Sequence, residues 1–278
     1  MGSSFDHSPE FQRLLRRDPQ TDLVRVGLEI ASDAYLKLDP EPYLARVEAL
    51  ADRARERCAA LDRPRLVLGQ INWVLFVEEG FQGNSDDYYD PRNSYLNEVI
   101  DRKTGIPISL SVLYWRVAAR VGLEVAGVNL PAHFMLRVGR GDSTVFVDPF
   151  HSGALLDRDG CRRQVARMVG PDVAITEGHL APCRPTQVVA RMLRNLKSIY
   201  LQSHDYLATI PVQRRLVALL DDDADEQRDL GMLFLRADRP AEAIAPLQAY
   251  LDAVPPLPDA DHVAALLRAA RRDVALRN

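Results

Sequence analysis

The sequence predicts an α+β protein: a helical N-terminal region, a central helix packed on a small antiparallel sheet, and a helical C-terminal segment. Three observations carry this. Apolar residues recur at helical spacing before about residue 80 and again after about residue 185. One segment, 107–121, is apolar on most sides, as a central helix must be. Between these regions, residues 124–149 change to the period of two that marks strands. With 278 residues, 47% of them hydrophobic and 27% charged, the chain has the length and composition of one large folded domain or two ordinary ones.

The elements follow in order. Between Glu41 and Ala60, Tyr43, Val47, Leu50, Ala54 and Cys58 step by four, three, four and four, which makes one helix face and places Cys58 on it as a packing thiol. A second helix is expected from about Pro64 to Glu79, through Leu66, Ile71, Trp73, Val74 and Phe76, before Gly80 and Gly83. Residues 82–93, rich in Gly, Asn and Asp, read as loop, and a short helix is expected at 94–101. Pro107 after Thr104-Gly105-Ile106 marks the start of the central helix, and Gly122 its end. Three strands are expected at 124–130, 133–138 and 144–149, the last two joined by Gly139-Arg140-Gly141-Asp142. In the second strand Phe134, Leu136 and Val138 share one face and His133, Met135 and Arg137 the other. After Pro149 the chain reads as irregular, through His151-Ser152-Gly153 and 157–160.

From about Pro185 helices return, at 188–206 with the basic face Arg191, Arg194 and Lys197, and at 210–220. The basic face and the acidic run 221–226 both read as solvated. Leu230-Gly231, Leu235, Ala241, Ala243-Ile244, Leu247, Tyr250-Leu251 and Pro255 approximate one tetratricopeptide repeat, which has to bury its face on neighbouring helices. The polar, proline-punctuated stretch from Gly178 to Thr186 is the expected boundary, dividing the chain into 1–180 and 186–278.

Charge and cysteine usage narrow the function classes. A net charge of −4 argues against a general phosphate-binding surface, so no nucleic-acid partner is expected. Cys58, Cys161 and Cys183 are too scattered for a disulfide framework and form no CxxC pair. No apolar run reaches the length of a membrane span, and Met1-Gly2-Ser3-Ser4-Phe5-Asp6 has no signal-peptide pattern, so the cytoplasm is the expected compartment.

The sharpest candidate chemistry lies in the hairpin. A turn symmetric about the Arg140–Gly141 bond places His133 opposite Asp148, Met135 opposite Phe146 and Arg137 opposite Thr144. Directly paired side chains stand about 4.5–5.5 Å apart at Cβ. A carboxylate there fixes one imidazole tautomer; on spacing alone this reads first as a hydrogen bond that pins a hairpin, and otherwise as half of a nucleophilic triad. A metal set of His133, Asp148 and His151 is possible by residue type, but the spacing does not require His151 to converge, and no metal or other cofactor is expected. Asn93, Tyr95, Asn97 and Glu98 stand near the presumed cleft as binding candidates, with helix capping as the plainer role for Asn93 and Ser94.

Four blocks occur in order: Asn93-Ser94-Tyr95-Leu96-Asn97-Glu98-Val99-Ile100, Thr104-Gly105-Ile106-Pro107-Ile108-Ser109-Leu110, Leu130-Pro131-Ala132-His133-Phe134 and Val147-Asp148-Pro149-Phe150. Together they resemble the bacterial SirB-type transglutaminase-like proteins, closely over about Gly69 to Asp157 and loosely in a tetratricopeptide-like tail. The resemblance implies a core related to papain-like thiol enzymes. In active relatives of the wider superfamily a Cys opens the central helix, a His comes from the next strand and an Asp from the strand after it. His133 and Asp148 match the last two.

The first is missing. No cysteine lies in 107–121, and Pro107 falls near the expected nucleophile position. The nearest hydroxyls, Ser109 and Ser111, fit badly, being about 200° around the helix and one turn on. The expected function is therefore a non-catalytic, protein- or peptide-binding or regulatory role. The alternative is a hydrolase or acyl-transferase using the His133–Asp148 pair with a serine such as Ser109 or an activated water.

Overall fold

The structure, a computed structural model, describes residue 5 and residues 7–141, 144–170, 172–253 and 259–277. Asp142 of the expected turn, Pro255 of the repeat pattern, and Met1 to Ser4 with Asp6 lie outside the described residues. Internal contacts divide the chain into two compact units, Met1–Met192 and Leu193–Asn278. The division falls inside a helix, α8 (Pro185–Gln202), downstream of the proline-rich stretch expected to mark it. Val188 and Met192, on the first turns of that helix, are buried in the core of the first unit, which moves the division past residue 186.

The first unit begins with α1 (Pro9–Leu15), α2 (Leu23–Ala31), α3 (Glu41–Cys58) and α4 (Pro64–Asn72). Glu29 of α2 is buried, and its carboxylate accepts the amides of Glu10 and Phe11, two of the orphan donors at the start of α1. On α3 the expected stripe is buried at Val47, Leu50, Ala54 and Cys58. The chain continues past α4 as a π-helical stretch, Trp73–Glu78, rather than one regular helix. Next come α5 (Leu96–Arg102) and a short parallel pairing of β1 (Gln82–Gly83) with β2 (Thr104–Gly105).

The central helix, α6 (Pro107–Arg120), starts at Pro107 as expected. Ile108, Leu110, Val112, Leu113, Tyr114, Val117 and Ala118 are all buried in one core. Its two arginines, Arg116 and Arg120, meet Glu48 of α3, whereas Ser109 and Ser111 are buried. The four-stranded antiparallel sheet runs in the order β3 (Val125–Leu130), β4 (His133–Val138), β5 (Val145–Asp148), β6 (Ala154–Leu156). Phe134, Leu136, Val138, Val145 and Val147 pack in the cluster of α6, whereas Met135 and Phe146 pack with Cys161 and Val165 of α7 (Arg158–Val169). Alternation along each strand thus serves two layers, one helix on either face of the sheet.

The hairpin register differs from the expected one. Leu136 pairs with Val147, Arg137 with Phe146 and Val138 with Val145, a shift of two residues. The connection runs from Gly139 to Thr144, longer than the tight turn that symmetry about Arg140–Gly141 required. An even shift keeps each side chain on its face. His133 and Asp148 therefore stand diagonally rather than directly opposite, on the face of Met135 and Phe146, still within reach of one another. The strand β6 and helix α7 fall where irregular chain was expected; Asp157 caps α7 by accepting the amide of Gly160 at 2.7 Å.

The second unit holds α9 (Tyr206–Leu219), α10 (Ala224–Arg236), α11 (Pro240–Leu251) and α12 (Ala260–Arg277). Ile210, Leu230, Leu233, Phe234, Ala243, Leu247, Tyr250, Val263 and Leu267 form its core. The run 221–226 is not wholly solvated. Asp223 caps α10, but Glu226 is buried, accepting from Lys197 at 3.0 Å and Gln213 at 2.8 Å.

Candidate functional site

Local structure sets up the pair from both sides. Leu130 pairs with His133, so Pro131 and Ala132 are the whole of the β3–β4 turn. Ala132 has φ of 55°, the left-handed region that such a turn imposes at its second residue and that costs a non-glycine residue of the order of 1 kcal/mol. His133 starts β4 directly after this strained residue, and Asp148 ends β5. Nε2 of His133 lies 2.9 Å from Oδ2 of Asp148, and both side chains are buried, at 0% and 1% exposed. Nδ1 of His133 is buried without a hydrogen-bond partner. With the proton on Nε2 donated to Asp148, Nδ1 carries a lone pair, as in a base held by its orienting carboxylate.

His151 joins this pair. Its Nδ1 lies 2.7 Å from the same Oδ2, and the amide nitrogen of Gln164 from α7 stands 3.2 Å from that Nδ1. The Asp148 carboxylate also accepts the amide of Phe150 at 3.1 Å. Burial alone would raise the Asp148 carboxyl, but the bonds from His133 and His151 outweigh it and hold it below the usual carboxylate range. The convergence of His151, which spacing did not require, comes from a tight segment. Pro149–His151 forms a single 3-10 turn, Ser152 has φ of 52° and Gly153 has φ of 74°. Gly153 donates to the carbonyl of Asp148 at 2.9 Å, closing the loop. Its own carbonyl accepts from Asn72, whose Oδ1 takes the Tyr114 hydroxyl at 2.9 Å. A Cβ on Gly153 would meet that Asn72 oxygen at 2.1 Å, so only glycine fits.

The serines of α6 are not brought to the pair. The Ser109 hydroxyl accepts the amide of Ile106 at 3.1 Å and donates to the carbonyl of Asn93 at 2.7 Å, which fastens the helix start. The Ser111 hydroxyl is buried and bonds nothing, so it does not reach Nδ1 of His133. Asn93 is fully buried, with its amide donating to Asp87 and accepting from Asn84, so it staples the 84–93 loop to the start of α6. Tyr95 is buried edge-on against Tyr35 at 5.5 Å, and Asn97 is buried with its Oδ1 unpartnered. Glu98 is half-buried on α5.

None of the three thiols is poised for attack. Burial pushes Cys58 and Cys183 up, and burial with the nearby charges of Asp148 and Asp157 pushes Cys161 up to about 12. Cys161 lies on α7, after the Asp in chain order.

Comparison with known proteins agrees with this architecture. The family described as "Transglutaminase-like superfamily" matches residues 41–194, and "Tetratricopeptide repeat" matches 196–268. The second span is about twice the length of one 34-residue repeat, more than the single repeat expected. A UPF0162 protein of Xylella fastidiosa (strain Temecula1) is 32% identical over 259 residues, covering 92% of each chain. A UPF0162 protein of Vibrio cholerae is 26% identical over 72% of this chain and 74% of that one. F-box only protein 21 of Mus musculus is 35% identical over 141 residues, 48% of this chain but 22% of its own length. A crystal structure of menin, whose title describes the binding site for Mixed Lineage Leukemia protein, covers 87% of this chain and 68% of its own. Its TM-score of 0.40 at 14% identity is too loose to establish a shared fold. A transglutaminase-like core followed by tetratricopeptide helices, matched nearly end to end by a UPF0162 relative, places this chain in the UPF0162 family of the transglutaminase-like superfamily.

Proposed function

We propose that this protein is a non-catalytic, SirB-type transglutaminase-like protein that binds another protein or peptide. The observation that carries this is the start of α6. The superfamily's nucleophile position is near Pro107, Ser109 is committed to the Asn93 carbonyl, and Ser111 makes no bond to His133. With both hydroxyls unavailable, the base at His133 has no side-chain nucleophile to activate for covalent acyl transfer. The tetratricopeptide helices supply an interaction surface of the kind such repeats use. A pocket of about 180 Å³ in the second unit is lined by the apolar Leu201, Met232 and Leu233 and the charged Lys197, Asp229 and Arg236. Among the described residues no helix is long and apolar enough to cross a membrane; the cytoplasm is the compartment proposed, and a nucleic-acid partner is not part of the proposal.

The test pairs two assays on the full chain. A panel of amide, ester and thioester substrates is expected to give no turnover that depends on His133, with His133→Gln and His133→Ala as comparators. A peptide array is expected to yield ligands whose affinity falls on Lys197→Ala or Asp229→Ala. Turnover abolished by both His133 variants would overturn the reading.

One observation favours a second reading, a hydrolase or acyl-transferase using His133 and Asp148 with a serine or an activated water. The pair is already in the geometry of a general base, with Nδ1 unpartnered.

A further inference from the structure

The geometry points to a binding site for one divalent first-row transition ion, such as Zn²⁺, formed by His133, Asp148 and His151. One ligand atom from each of these residues lies within 4.8 Å of the other two. Nε2 of His133 and Nδ1 of His151 stand 2.9 Å and 2.7 Å from Oδ2 of Asp148. Two imidazole nitrogens and one carboxylate oxygen are a donor set that suits zinc and its neighbours, and they leave at least one position open for water. In a tetrahedral zinc site with bonds of about 2.1 Å, neighbouring ligand atoms are about 3.4 Å apart. The contacts of His133 and His151 to Oδ2 have to widen by about 0.5 and 0.7 Å. The larger change falls on His151, whose side chain is 48% exposed, and the smaller one is a slight rotation within the buried His133–Asp148 pair.

A second observation points the same way. Nδ1 of His151 is in hydrogen-bond range of two groups that ask opposite things of it. Oδ2 of Asp148 at 2.7 Å requires a proton on that nitrogen, whereas the amide nitrogen of Gln164 at 3.2 Å requires a lone pair. Arg167 donates to the Gln164 oxygen, which keeps the NH₂ turned toward His151. A cation lets the carboxylate oxygen and the imidazole lone pair approach each other without a proton between them. The loop supports this use of the residues: Gly153 and Asn72 hold the Pro149–His151 turn against β5, so ligands three residues apart are preset on one side. The donor set excludes thiolate, since Cys161 is no member of the cluster and its proton is held.

This inference goes beyond the binding reading and stands or falls separately from it. The test is titration of chelator-stripped full-length protein with Zn²⁺ by calorimetry, and with Co²⁺ by visible absorption. The expected result is one ion per chain, cobalt d–d bands without a thiolate charge-transfer band, and at least a tenfold loss of affinity in His151→Ala. That exposed residue can be replaced without disturbing the core, which circular dichroism verifies. Asp148→Asn is expected to abolish binding, and His204→Ala and His262→Ala, at exposed positions, to leave it unchanged. Absence of stoichiometric binding, affinity unchanged in folded His151→Ala, or a thiolate band would overturn the assignment.

Discussion

At the scale of single residues, His133 and Asp148 are a buried, directly bonded pair of ionisable groups. Two groups that ionise are taken out of water, and each is tolerable there because of the other. Removing the imidazole leaves a buried carboxylate with the Phe150 amide and His151 as its donors. His133→Ala is therefore expected to lower the stability of the full chain by about 3 kcal/mol in urea unfolding. Asp148→Asn in the same background should restore part of that loss, as expected of a coupled pair. A loss below about 0.5 kcal/mol, the range of an ordinary surface change, would mean the pair is not structurally committed. Both members of the pair were legible from the alternation of β4 and from the order of motifs. His151 was not, because nothing in Asp-Pro-Phe-His specifies a left-handed Ser152 and Gly153 that turn the ring back on Asp148. The roles of Asn93 and Ser109 were not legible: Asn93 and Ser94 read as caps of the next helix, which instead starts at Leu96 after Tyr95 without a side-chain cap, and the bond from Ser109 to the Asn93 carbonyl depends on a loop folding back over the start of α6.

At the scale of elements, the informative departure is the β4–β5 register. Hairpin symmetry assumed the tightest turn, and the glycines at 139 and 141 instead belong to a longer connection. The burial of one face against α6 and the other against α7 forbids an odd shift but permits an even one. That is why the chemistry survived a mistaken register. Helix α7 escaped notice because its apolar residues Cys161, Val165, Ala166, Met168 and Val169 are interleaved with four arginines. The Asp148–Gly153 loop gives an element-scale prediction. Gly153→Ala puts a methyl group on the Asn72 oxygen at positive φ. It should cost about 2 kcal/mol or more in thermal or urea unfolding. It should also release His151, detectable as a changed imidazole resonance; wild-type stability in this variant would show that the loop is not clamped as described.

The second unit carries its own electrostatic element. Burial alone would raise Glu226, but Gln213, Lys197 and Arg194 hold its carboxyl below the usual range. A carboxyl depressed in the folded state contributes stability that is complete above its unfolded pKa, about 4.3, and is lost as pH falls through the lower folded value. Glu226→Gln should therefore lower stability at pH 7, and the gap to wild type should close as pH falls below about 4. A gap independent of pH would assign the effect to packing. The sequence showed this run as a charged helix start and hid the burial, since which face of α10 meets α8 is a tertiary fact.

At the scale of the whole molecule, the order of elements and the tail were readable because long periodic segments and ordered motif blocks are local signals. The division between units was not, because α8 runs through it without a break in pattern. Family membership places the core and the tail but not an activity. What separates a binding protein from an enzyme with a covalent acyl intermediate is whether any side chain can become a nucleophile beside His133. The measurement that decides it most directly is the intact mass of the protein after incubation with serine- and thiol-directed acylating and phosphonylating probes, followed by peptide mapping. The account predicts no stoichiometric adduct on Ser109, Ser111, Cys58, Cys161 or Cys183 in the native chain. One adduct per chain on any of these, formed in wild type and absent in His133→Gln, would contradict it.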